Sequence, residues 1–131
     1  MKKLLLLSPF ALLSCLAFTS KQISRPSITG LWADSNSVNF QHCTVIFSQE
    51  GEQVHMLHYL EFKGTPMVEE GLGTIKGNQV EYKVRVTKAI PGWVTEGTHM
   101  LTLSADGQTL RGVYRDHQDN TGLLVFKRLR Q

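Results

Sequence analysis

Gln79-Val-Glu-Tyr-Lys-Val-Arg-Val-Thr87 is the stretch that decides the fold. Val80, Tyr82, Val84 and Val86 alternate with Glu81, Lys83, Arg85 and Thr87. Successive side chains of an extended chain point to opposite faces, so one face here is apolar and the other is charged. That is a strand, predicted over 79–89, in a sheet wetted on one side. A helix needs apolar residues three and four apart, and no stretch after residue 27 keeps that spacing over three turns.

Similar segments flank it. Gly77-Asn78 before it makes a tight hairpin, and Pro91-Gly92 after it suits a type II turn. Downstream, strands are predicted over 95–104, 108–116 and 122–129, separated by Asp106-Gly107 and by the polar loop His117-Gln118-Asp119-Asn120. Upstream they fall at 67–76, 53–63, 43–49 and 28–34. In the 53–63 segment Val54, Met56, His58, Leu60 and Phe62 share one face. An open sheet of eight short strands leaves two unpaired edges, which closure removes. Eight strands enclose room for side chains or for one small ligand. The fold read from the pattern is an all-β, eight-stranded antiparallel up-and-down β-barrel over residues 28–131, with a β-sandwich as the alternative.

The N-terminus reads differently. Lys2 and Lys3 precede the apolar runs Leu4–Leu7 and Phe10–Leu13, and small residues follow. This is the pattern of a secretory signal peptide, too short for a permanent span. It ends near residue 17, or at 14 if Leu12-Leu13-Ser14-Cys15 acts as a lipobox and Cys15 is lipidated; both readings stay open. Residues 18–27 read as a linker. The expected location is outside the cytoplasm, in the periplasm or as a membrane-anchored lipoprotein of a bacterial envelope, with membrane contact only through that lipid.

The bulk numbers exclude several classes. A chain of 131 residues with 41% hydrophobic and 19% charged residues suits one globular domain and argues against disorder. Removing Lys2 and Lys3 leaves the charge near balance, and no basic run is interleaved with aromatics, so nucleic acid is not an expected partner. Without Cys15, Cys43 has no disulfide partner within the chain, and a lone cysteine on an apolar strand reads as a packed thiol.

The chemistry-bearing residues are few. His55 and His58 stand three apart, which on a strand puts them on opposite faces, so they do not share an ion. Glu69-Glu70 likewise diverge and read as a solvated loop or edge. His117 to Asp119 reads as polar turn chemistry. No nucleophile elbow, phosphate loop or paired-cysteine metal motif occurs, and no cofactor or metal is expected. His58 and His99 fall on apolar faces, and a buried neutral histidine has to satisfy its ring nitrogens. With Tyr82 and Tyr114 they are candidate polar groups in an otherwise apolar cavity.

Ile28-Thr29-Gly30-Leu31-Trp32 carries a Gly-x-Trp at the start of the first strand. It resembles the opening motif of the calycin superfamily, which includes lipocalins, fatty-acid-binding proteins and avidins. Asp106-Gly107-x-x-Leu110-x-Gly112-x-Tyr114 looks like a hairpin of small exported bacterial barrels of this sort. The resemblance implies that Trp32 closes one end of the interior, that Arg128 packs over it, and that Trp32 joins the ligand-binding set. The function expected on this basis is non-catalytic binding of a small apolar or amphipathic ligand inside the barrel. The alternative is a protein-interaction or structural module, or an inhibitor, with a filled barrel and a protein partner. Large inward residues (Phe47, Phe62, Tyr82, Phe126) argue for filling, and Gly112 is expected to open space. An enzyme would need His58 or His99 beside a carboxylate inside.

Overall fold

The computed structural model describes residues 27–35 and 40–130. The expected signal segment, Cys15 and all but the last residue of the expected 18–27 linker lie outside the described residues. Eight strands follow in order: β1 (Gly30–Asp34), β2 (Phe40–Glu50), β3 (Gln53–Phe62), β4 (Thr65–Lys76), β5 (Gln79–Val86), β6 (Glu96–Leu103), β7 (Thr109–Asp116) and β8 (Thr121–Arg130). Each pairs antiparallel with the next, and β8 returns to β1. The result is a closed up-and-down barrel, not a sandwich. Val80, Tyr82, Val84 and Val86 are buried while Glu81, Lys83 and Arg85 are exposed, as the alternation requires.

β2 starts earlier than its sequence suggests. Between Gln41 and Thr44 the register against β3 shifts by one residue, and His42 adopts a left-handed backbone with φ 56°. This is a β-bulge. It lets both Phe40 and Cys43 pack against the inner cluster of Leu60, Met67 and Val86, although strict alternation would put 40 and 43 on opposite faces.

Up-and-down order sorts the connections to two ends. The β2–β3, β4–β5 and β6–β7 turns and the incoming chain at Ile28 gather at one end. That end is packed shut by Ile28, Trp32, Phe47, Leu101, Leu110 and Phe126, all essentially inaccessible to solvent. Phe47 meets Trp32 edge-on at 6.0 Å between ring centroids. Trp32 Nε1 donates to the Ile28 carbonyl at 3.0 Å, so the indole buries without an unpaired donor. The Arg128 guanidinium lies 4.2 Å from the Trp32 ring centroid. It donates to the carbonyls of Gly107 (2.8 Å), Thr29 (3.0 Å) and Ser27 (2.7 Å). One side chain thus ties the β6–β7 turn, the incoming strand and β8 together.

Gly112 does not open space, contrary to expectation. A Cβ there would sit 1.9 Å from the Met100 carbonyl oxygen and 2.8 Å from Leu101 Cα. The missing side chain lets β6 and β7 approach closely where the sheet coils. Gly112→Ala is expected to destabilise the barrel by about 1–3 kcal/mol, as forced overpacking does, lowering the urea midpoint. An unchanged midpoint would contradict this packing.

Candidate functional site

Among the described residues, the other end of the barrel is not filled. A cavity of about 500 Å³ opens there, within the usual range for small-molecule sites. Its mouth is aromatic. The Trp93 ring lies 5.3 Å from Phe40 and 5.0 Å from Phe62, centroid to centroid. The Pro91-Gly92 turn presents it: the Trp93 amide donates to the Ile90 carbonyl at 3.2 Å, and Gly92 takes φ 78°, as the third position of a type II turn requires. Leu60, Val84, Val86 and Leu124 line the wall below.

The floor is polar. His58, Glu69 and His99 are buried, and all three line the cavity with Asp34 and Tyr114. His58 Nδ1 stands 3.4 Å from Glu69 Oε2, and Nε2 stands 3.8 Å from Asp34 Oδ2. Among the described residues, neither ring nitrogen closes a hydrogen bond. His99 is better served, with Nδ1 3.1 Å from the Tyr82 hydroxyl.

The expected site residues divide between the two ends. His58, His99 and Tyr114 line the cavity. Tyr82, the cross-strand partner of His99, does not line it, and its hydroxyl lies 3.1 Å from His99 Nδ1. Trp32 belongs to the sealed end beneath Arg128. His55 is exposed and His58 buried, so the two point apart as expected. The solvated reading of Glu69-Glu70 needs correction for Glu69. It pairs in register with His58 and faces inward, while Glu70 faces out and is bonded to Arg85. The signal was in the alternation Met67, Glu69, Gly71, Ile75, of which Met67, Gly71 and Ile75 are also buried. Asp34 was legible in the same way, two residues on from inward-facing Trp32. Cys43 was legible as well, on the parity of buried Val45 and Phe47; Phe40 was not, because the bulge that turns it inward leaves no mark in hydrophobic periodicity. The β7–β8 loop is turn chemistry: Asp116 Oδ1 accepts from the amides of Gln118 and Asn120.

Burial sets the electrostatics. Desolvation is the largest influence on His99 and lowers its pKa to about 4; the Glu69 charge opposes this and His58 reinforces it. The Tyr82 phenol is raised well above its usual value, first by desolvation and then by Glu69 and Asp34.

No family model matches this sequence, and no curated protein matches it. The eight-stranded antiparallel barrel is compatible with a calycin-like fold.

His99 makes stability depend on pH. Below about pH 6.5 the unfolded chain takes up a proton at residue 99 that the folded barrel refuses until about pH 4. The unfolded state binds more protons in that window, so stability falls as pH drops through it, by on the order of 3 kcal/mol. Urea unfolding at pH 7 and pH 4.5 is expected to show a smaller loss in His99→Gln than in the unsubstituted protein. Equal losses would contradict a buried neutral His99.

Proposed function

We propose that this protein binds a small amphipathic molecule held in the open half of the barrel. The carrying observation is the cavity of about 500 Å³ with an aromatic mouth and a polar floor. Apolar wall and aromatic rim suit a hydrophobic body, and a few convergent polar groups at the end of the cavity suit a head group. His58, whose ring nitrogens lack hydrogen-bond partners among the described residues, supports the idea that something else contacts the floor. A filled barrel would have favoured the protein-interaction module; a barrel packed at one end only supports the ligand reading. The calycin resemblance of the Gly30-Leu31-Trp32 opening points the same way, and with it we read the protein as an exported envelope component, working outside the cytoplasm.

Anilinonaphthalene sulfonate, an amphipathic fluorophore, tests this in the presence of chelator. Burying one aromatic or aliphatic group contributes about 1.5–3 kcal/mol, so Trp93→Ala and the space-filling Val84→Trp are each expected to weaken binding about tenfold or more. Leu72 lies exposed on the outer face, and Leu72→Ser is expected to leave binding unchanged. Fluorescence that follows Leu72 and ignores Val84 and Trp93 would place the probe on the outside and contradict the proposal.

A further inference from the structure

Three consecutive strands bring unlike donors to one point at the edge of the cavity floor. Asp34 ends β1, Cys43 follows the bulge of β2, and His58 lies in β3. A carboxylate oxygen, a thiol sulfur and an imidazole nitrogen from these residues lie within 4.8 Å of one another. His58 is 4% exposed, and among the described residues both its ring nitrogens lack a hydrogen-bond partner. A buried imidazole left so is costly unless another group takes its lone pair.

The two ring nitrogens face different groups. Nδ1 faces Glu69 at 3.4 Å and Nε2 faces Asp34 at 3.8 Å. A proton on Nδ1 directed at Glu69 leaves the Nε2 lone pair pointing towards Asp34. A histidine bound to a metal typically donates its other N–H to a carboxylate in this way, which fixes its tautomer and makes it a better ligand. Asp34 and Cys43, which both bind metals as anions, each bring a ligand atom within 4.8 Å of a His58 ring nitrogen and of one another. Sulfur, nitrogen and oxygen together suit a borderline-soft divalent ion, whereas magnesium and calcium favour oxygen alone.

We propose that Asp34, Cys43 and His58 bind one zinc ion, with Glu69 as the residue that positions His58. Zinc bonds of about 2.0–2.3 Å require the three donors to draw slightly closer than their present spacing. The Cys43 thiol gives its proton to solvent on binding, since the thiolate is the ligand. Asp34 and His58 also line the cavity, so a fourth coordination position faces it. Three protein ligands with one open position distinguish a reactive or ligand-accepting zinc from a closed structural one. This site goes beyond the amphiphile reading and stands without it.

Cobalt(II) substitution tests the site on the full chain after chelator treatment. One equivalent is expected to bind, with a thiolate-to-cobalt charge-transfer band in the near ultraviolet and intense visible bands of a four-coordinate ion, and zinc is expected to displace it. Cys43→Ser is expected to abolish the charge-transfer band, and His58→Gln to weaken binding at least tenfold. Glu69→Gln is expected to weaken binding roughly 10–100-fold while keeping that band, as a positioning residue should. His42→Ala, beside Cys43 but exposed, is expected to change nothing. Zinc is also expected to raise the thermal midpoint of the unsubstituted protein and not that of Cys43→Ser, with circular dichroism confirming that both are folded. No cobalt binding, a charge-transfer band that survives Cys43→Ser, or binding indifferent to His58→Gln would each overturn the proposal. Failure here with fluorophore binding intact in chelator would sink the zinc site alone.

Discussion

Closure of the sheet between β1 and β8 is the constraint on which the rest of the structure depends. β1 is only five residues long, and an edge strand of that length would be poorly held. Pairing on both sides removes the edge. The register still needs an anchor, because it slips by one residue between Leu31 and Trp32. Arg128 supplies it at that point. Trp32 and Arg128 are direct partners across the seam, and the guanidinium lies over the indole while its hydrogen bonds reach three separate carbonyls. A lysine has neither the planar fork nor the stacking surface to replace it.

With the seam fixed, the inward positions of all eight strands divide the interior in two. Bulky residues fill the half beneath Arg128. The other half receives short or polar groups at several inward positions: Asp34, Cys43, His58, Glu69 and His99. A core assembled for stability alone would not place two histidines and two carboxylates there, since burying such groups costs free energy unless they are paired. Local rules broken together in one place usually mark function. The same feature makes His99 a source of acid sensitivity and leaves His58 dependent on what its nitrogens contact.

Much of this was legible in the residues. Strand identity followed from period two, most cleanly in Val80 to Val86, and closure followed from the count of strands and the shortness of their turns. The sealing pair Trp32 and Arg128 came from resemblance rather than periodicity, and the two side chains do stack. Glu69 and Asp34 were available from alternation but were masked by their charge, which in isolation argues for solvent. Phe40 was hidden for a different reason: a one-residue bulge reverses parity within β2 between it and Cys43, and no hydrophobic pattern records it. Gly112 shows the opposite error, because a small residue in a coiled sheet can mark close approach of two strands instead of empty space. Sites in β-barrels are therefore read best where alternation is unbroken and worst next to bulges.

Residue-resolved hydrogen exchange of the native backbone, followed by NMR, tests closure most directly. The amides of β1 and β8 that face each other across the seam, around Trp32, Ala33 and Lys127, are predicted to be protected to a similar free energy as those of β5. Rapid exchange along both β1 and β8, with β3 to β6 still protected, would describe an open sheet with two free edges and contradict the account.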